Sequence, residues 1–353
     1  MRYRIKTPWL LLLSLLSSLL LSGKVQADNG FAANPAYRSA RGPIPTRNGR
    51  PYSLLFLQFF PESPDTLREG NHRFDLQLDV FNNMLVSSPM QGATVLEDHE
   101  IQRLRLTWRR GLNPHTELAV FVPILWRNGG FLDEIIRNWH SFLGIRDPGG
   151  RDISPDYRSI LRATDAAGNT LVDKGNAFGL GEVLFTLKYG LTNPTPRAHL
   201  AVRLGLKLPT GNSRLLLGSG GPDAGLSLDG RYNVGREFIF FANVGGILMA
   251  KATKVPNPRR AMFQYFLGVE YRPNNRDSFL LQVEGTTLAT RTGNRLADRL
   301  QSTGTFGYKR VLDRHLVLVA SFSENGDISN FTVPPLGDIG PDFTVTLGLE
   351  WHP

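Results

Sequence analysis

The sequence predicts an all-β protein, a transmembrane antiparallel β-barrel of about 12 strands with a short helix in one long extracellular loop. Three observations carry that reading. Segments of roughly ten residues alternate apolar with small or polar side chains, the pattern and length of a tilted strand crossing a bilayer with one oily and one wet face. The connections between them alternate between short and long, as periplasmic turns and extracellular loops do. Beyond residue 27, no stretch approaches the ~18 consecutive apolar residues of a membrane-crossing helix.

The elements follow in chain order. Residues 1–27 read as an export signal, with a basic start (Arg2, Arg4, Lys6), an apolar run through Leu21 and a small-residue exit at Val25-Gln-Ala27. Residues 28–71 are rich in Pro, Gly, Asn and Arg, carry no period, and are expected to be a periplasmic leader. Within them Tyr52–Phe60 is apolar but alternates poorly; it reads as an extra strand or as a segment packed against the barrel mouth. The barrel is assigned to 72–353. Phe74, Leu76, Leu78 and Val80 share one face, and Leu104, Leu106 and Trp108 share the next, opposite Arg103, Arg105 and Arg109. Leu118, Val120, Val122, Ile124 and Trp126 form the third apolar set.

After a long connection at 128–178, paired segments recur at 180–190 with 197–208, 223–233 with 237–249, 261–272 with 278–289, and 299–311 with 315–324. The chain closes on Asp342–Trp351, where Phe343, Val345, Leu347, Leu349 and Trp351 alternate with Thr344, Thr346, Gly348 and Glu350. The count is even, and both barrel termini fall at the short-turn end.

Composition narrows the function classes. With no cysteine, a disulfide scaffold, a thiolate metal site and a thiol nucleophile are excluded. Removing 1–27 takes away Arg2, Arg4, Lys6 and Lys24 and no acid, which lowers the formal charge from +9 to +5. That balance and an exported location point away from nucleic acid. The mean hydropathy of −0.18 is that of a soluble chain, but alternation hides barrels from hydropathy.

Several pieces together resemble an uncharacterised family of Gram-negative outer-membrane and envelope proteins, a domain of unknown function spanning nearly the whole mature chain. They are Gly129-Gly-Phe-Leu-Asp133 with Trp139-His140, Gly149-Gly-Arg151, Gly179-Leu-Gly-Glu182, Leu206-Lys-Leu-Pro-Thr-Gly211, Gly218-Ser-Gly220, and Ser323-Glu324 with Pro341-Asp342. Glu182 stands where such families commonly have Asp. Lys207-Leu-Pro-Thr-Gly211 is also similar to a piece of outer-membrane proteins associated with aromatic-degradation pathways. The resemblance implies a barrel in the outer membrane and brings no catalytic residues.

Candidate chemistry starts with the lumen face, where Asp75, Asp79, Arg103, Arg105, Arg109, Arg203 and Lys207 are expected to point inward. Arg103 and Arg105 stand on one face roughly 7 Å apart. They form either a basic stripe guiding anions or an ion-pair network with Asp75 and Asp79, and the mixed signs favour the network.

Residues 131–143 carry a helical apolar period bounded by Gly129-Gly130 and Gly144. Folded inward, this helix would narrow the mouth through Phe131, Ile135 and Trp139; otherwise it would lie on the lipid interface. His140-Ser141 does not form a nucleophile–base pair, because adjacent helical residues diverge by about 100°. His199 has no Ser near it in sequence. Asp147–Asp152, Ser154-Pro-Asp156 and Gly218–Gly221 read as turns rather than as metal or phosphate sites.

The reading is a non-enzymatic passive or gated channel for a small polar or amphiphilic solute, with no cofactor. Its expected partners are outer-membrane lipid and the barrel assembly machinery, which would engage the closing strand. The rivals are a lipid-acting barrel enzyme and a closed structural or adhesin-like barrel. Trp351→Ala is expected to lower the outer-membrane fraction of total protein far more than Glu350→Ala does; equal losses would contradict the assigned faces.

Overall fold

The computed structural model describes residues 42–86, 94–143, 158–193, 197–235, 237–252, 255, 257–291, 300–325 and 343–353. The export signal, Asp147–Asp152, Ser154–Asp156 and Pro341-Asp342 lie outside the described residues.

Twelve antiparallel strands close into a ring. They are β1 (His72–Val86), β2 (Thr94–Asn113), β3 (Thr116–Asn128), β7 (Val183–Gly190), β8 (Ala198–Leu208), β9 (Asp223–Val234), β10 (Phe238–Met249), β11 (Ala261–Tyr271), β12 (Asp277–Thr286), β13 (Gln301–Val311), β14 (Leu316–Asn325) and β15 (Phe343–Trp351). Closure is made by β15, which pairs with β14 on one side and with β1 on the other, from Phe74↔Trp351 to Asn82↔Phe343. Each of the twelve ring strands is paired on both sides, so the ring leaves no edge to water or lipid. Three short strands belong to the long-loop end: β4 (Ile160–Thr164) and β5 (Thr170–Lys174) extend β2, and β6 (Ala177–Leu180) extends β7 along β3. Among the described residues, no helix is long and apolar enough to cross a membrane.

Alternation assigns the two faces. Leu204, Leu226, Leu228, Leu267, Leu281 and Phe306 are exposed on the outside. Asp75, Asp79, Arg103, Arg105, Thr305 and Thr346 are buried inside. At the short-turn end, aromatics pair across strands: Phe74 with Trp351 at 5.4 Å, Phe238 with Tyr271 at 4.9 Å and Phe279 with Tyr308 at 5.3 Å. Such a girdle marks a membrane interface. By the turn-and-loop rule this end is periplasmic and the long-loop end extracellular.

The segment assigned as a periplasmic leader differs in the structure. Its described part, 42–71, runs inside the barrel. Gly42 donates to Glu270 near the short turns, Asn48 reaches Gln301 and Arg50 reaches Glu97 at the long-loop end. One turn of helix, α1 (Pro51–Leu54), reverses the chain. It then descends past Asp223, Gln264, Asn243 and Glu117 to β1. Tyr52–Phe60 is therefore neither a strand nor a rim segment but the apex and descending limb of a plug. Apolar but aperiodic residues suit that place, because the plug has walls on all sides.

The wall is shaped for it. A Cβ on Gly205, Gly225 or Gly245, on the neighbouring strands β8, β9 and β10, would stand 2.7, 2.9 and 3.1 Å from the ring of Phe59. These glycines make the groove that seats the ring, and burying it contributes about 2–3 kcal/mol. Gly225→Val fills the groove while leaving the strand pattern intact. The expected outcome is a barrel that keeps its heat-modifiable gel migration but is cut by trypsin after Arg47, which wild type resists.

Candidate functional site, the occupied lumen

An irregular segment buried in a lumen has no ladder to satisfy its backbone, so side chains must do it. Three wall amides supply donor and acceptor together. Gln282 accepts from Ile44 N (2.7 Å) and donates to Ile44 O (3.1 Å). Gln264 treats Phe59 the same way, at 2.7 Å in each direction. Asn243 accepts from Glu62 N (3.1 Å) and donates to Glu62 O (3.0 Å). Each amide imitates one rung of a strand, with the fold-specific register that a strand would have.

Around these clamps lie the charges, and every lumen candidate from the sequence is buried there. Asp79 accepts from Arg103 at 2.9 Å, and Arg105 donates to Gln77 at 2.5 Å. The Arg105 guanidinium lies 4.0 Å from the Phe60 ring centroid, with Arg103 at 5.4 Å and Arg47 at 5.6 Å. Phe60 thus presents its ring to three cations, a favourable use of its quadrupole away from bulk water. Arg109 pairs with Glu62 (2.8 Å), Glu117 (3.2 Å) and Asp75 (3.5 Å). Glu62 also takes Lys188 and Arg203, each at 3.0 Å, making it the plug's central anion. Arg203 keeps Asp229 at 3.0 Å, and Lys188 keeps Glu117 at 3.2 Å.

At the outer mouth, motifs far apart in sequence converge. Glu182 accepts from Gly211 N (3.0 Å), Ser219 N (2.6 Å) and Lys207 Nζ (3.3 Å). A Cβ on Gly218 would fall 2.6 Å from the same carboxylate, so the loop closes there only with glycine. Lys207 also reaches Asp223 (3.1 Å) and the carbonyl of Leu55 (3.0 Å), while Leu57 N donates to Asp223 (2.9 Å). The 209–222 loop is thereby drawn over the lumen, and Leu216 and Leu217 join the clusters around the plug apex. Leu161, Ala163 and Val172 of the β4–β5 hairpin cover it from another side.

The loop helix is placed otherwise than the constriction reading required. α2 (Asp133–Leu143) lies on the outside of the barrel. Its Leu132 and Ile136 side pack with Val80, Phe343, Leu78, Phe322 and Val345, which belong to the outer face of β1, β14 and β15. Glu100, also outward on β2, accepts from Phe131 N (2.8 Å) and Leu132 N, and Asn82 donates to Asp133. That carboxylate satisfies free amides at the helix start and anchors the helix to the wall. Phe131 and Ile135 are 44% and 52% exposed and point away from the lumen. Trp139 belongs to the same helix; its side chain lies outside the described residues. The physical reason is capping: an inward helix would forfeit Glu100 and leave Val80 and Phe343 uncovered.

Of the other candidates, His199 is bonded to Thr192 Oγ1 at 3.0 Å, and among the described residues no serine is its hydrogen-bond partner. Among the described residues no group of three or more His, Asp or Glu is arranged to hold a metal. The amides Gln264, Gln282 and Asn243 were missed in the sequence. Their signal was available, as uncharged hydrogen-bonding residues at inward positions of strands whose other inward residues are mostly charged or apolar.

A ring of twelve strands with an apolar belt outside and a charged, filled interior is an outer-membrane β-barrel. The chain belongs to the family described as protein of unknown function (DUF3187), which matches residues 27–352. No protein of curated function matches it in sequence. Among solved structures it is similar to the COG4313 outer membrane channel from Pseudomonas putida F1, at 11% identity and a TM-score of 0.53, over 84% of this chain and 100% of that one. It is also similar to the KdgM porin, at 7% identity and a TM-score of 0.42 over 79% and 98% of the two chains. The Ralstonia pickettii toluene transporter TbuX follows at 10% identity and 0.38, over 90% and 97%. The structural neighbours are thus outer-membrane channels and porins, and at these identities the likeness is one of fold.

Glu62→Gln keeps the backbone clamp to Asn243 but removes the charge facing Arg109, Lys188 and Arg203. Since those cations retain wall partners, the cost is expected at roughly 1–3 kcal/mol, the worth of charge-assisted hydrogen bonds. A lower midpoint for heat-modified migration is the measurement; an unchanged midpoint contradicts the central role of Glu62.

Proposed function

We propose that the protein is a gated outer-membrane channel for small polar or amphiphilic solutes, with residues 42–71 as the gate. One observation carries this reading: five buried wall cations keep a wall acid without the plug, although Glu97 and Arg231 lose the pairs they make with the plug's Arg50 and Asp65. Arg103 has Asp79, Arg109 and Lys188 have Glu117, Arg203 has Asp229, and Lys207 has Glu182 and Asp223, all on strands or strand ends of the barrel itself. Removing one partner of a buried pair costs about 3–5 kcal/mol when the other is left unpaired. Here displacement of the plug leaves each of these cations with an acid, and water entering the lumen can solvate the rest. A purely structural barrel has no need of such duplicate pairing, because an apolar filling serves stability as well or better.

The plug is held by reversible contacts: amide clamps, the ion pairs of Arg50, Glu62 and Asp65, and the seated rings of Phe59 and Phe60. Its shift would open a path lined by Arg103, Arg105 and Arg109 on one side. The gate at the outer mouth is the plug apex with the 209–222 loop, in place of the α2 helix. We also propose that β15 is the strand read by the barrel assembly machinery, through its outward Phe343, Val345 and Trp351.

Planar-bilayer recording tests the reading. Wild type is expected to stay mostly closed with rare steps, and deletion of residues 43–66 is expected to give sustained steps. Absence of steps in both proteins, each shown by heat-modifiable migration to be folded, sinks the channel.

A further inference from the structure

The interior is solid near the outer mouth and hollow near the short turns. There a cavity of about 790 Å³ opens toward the periplasmic end. That volume falls within the roughly 300–1,000 Å³ of small-ligand sites. Its lining is polarised. On one side β10 turns Ile239 and Phe241 inward, where they cluster with Phe266. Across the lumen Arg73 on β1 faces the cavity beside His352, and Lys309, rooted on β13 a quarter of the way round the ring, extends to Glu350 on β15 and also lines it. β1 and β10 are six strands apart in the ring of twelve, so they stand diametrically opposed.

The charges are unequal as the cavity sees them. Six Lys and Arg line it against four acids, Glu62, Asp65, Glu69 and Glu117, together with four of the chain's seven histidines. Glu350, which pairs with Arg73 and Lys309 at 3.1 Å each, is buried outside the lining. The two cations are held in place by an acid behind them, with their outer sides toward the cavity. A concave site with an excess of one sign concentrates ligands of the other.

We propose that this vestibule binds a small amphiphilic anion, a carboxylate on a short apolar body. The carboxylate is met by Arg73 and Lys309, and the body lies against Ile239 and Phe241. A neutral alcohol of the same length gains only the apolar wall, and the matching amine meets like charge. The inference builds on the channel reading, since it names the kind of solute, but its test requires no current.

Full-length protein in detergent is titrated calorimetrically with sodium hexanoate, hexylammonium chloride and 1-hexanol, each corrected for protein-free micelles. Saturable binding of hexanoate is expected, with the other two weaker by roughly tenfold or more, as loss of a charge-assisted contact implies. The double change Lys309→Gln with Glu350→Gln removes a lining cation and its acid together, and Arg73 retains Asp75. It is expected to weaken hexanoate binding by roughly tenfold. Ile239→Ser is expected to weaken it less. No saturable heat with hexanoate, equal binding of the amine or the alcohol, or wild-type affinity in both variants overturns the proposal. Binding without conductance would sink only the channel reading, and conductance without binding only this one.

Discussion

A barrel wall can satisfy its own backbone completely, but a chain threaded through its lumen cannot. This asymmetry governs the interior. The plug is irregular apart from one helical turn, so each of its amide and carbonyl groups needs a partner from the wall or from itself. Side-chain amides are the economical answer, because one Gln or Asn both accepts and donates. Gln282, Gln264 and Asn243 meet Ile44, Phe59 and Glu62, one contact on the rising limb and two on the descending limb. Between the last two, Phe59 sits over three glycines, and Phe60 meets the arginines of β2. Backbone rungs and side-chain seats therefore fix the same register, and a slip by one residue would forfeit both sets together.

The charges obey a second constraint. Ions inside a narrow barrel need partners or water, and the wall provides partners strand by strand. Glu62 is added on top of an arrangement that is already paired, drawing in Arg109, Lys188 and Arg203 without being the sole acid for any of them. This separates stability of the barrel from stability of the plug. The β-barrel is held by its closed ladder and outer belt, and the plug by contacts worth about 1–3 kcal/mol each. A molecule so divided can lose or shift its plug while the wall persists.

Legibility in the sequence tracked the range of the interaction. Alternation is local, and it located all twelve strands, with short and long connections in the right places. The alternation predicts the closing segment over Asp342–Trp351, and the described strand is Phe343–Trp351; its outward Val345, Leu349 and inward Thr346, Glu350 fall on the assigned faces. The Arg103–Asp79 pairing was also legible, since both lie at matching inward positions of neighbouring strands. The plug was not legible. Its partners are 32 to 253 residues away in sequence, from Pro45 with Gln77 to Asn48 with Gln301, and no period of its own announces them. Glycines at 205, 225 and 245 carry no signal of their own, and their meaning exists only once Phe59 is laid across them.

The loop helix shows why an amphipathic period alone does not decide direction. Its apolar residues cover two adjacent stripes, one with Leu132 and Ile136 and one with Phe131, Ile135 and Phe142. A lid folded into a lumen lined with Arg and Asp would place one stripe against charge. On the outer wall, Leu132 and Ile136 bury against Val80 and Phe343, and Phe131, Ile135 and the 81%-exposed Phe142 continue the apolar surface of the barrel. Glu100 then has a reason to stand on the outward face: it is covered by the helix whose first amides it receives. Closure of the mouth falls instead to 209–222, a loop too short and irregular to carry a period. What it carries is a carboxylate-binding turn, Gly211 and Gly218-Ser219 around Glu182, and that turn ties the mouth to Lys207 and so to the plug backbone at Leu55. Mouth and plug are thus coupled through this lysine and through Leu216 and Leu217 packed at the plug apex, and a movement of either must break the same contacts.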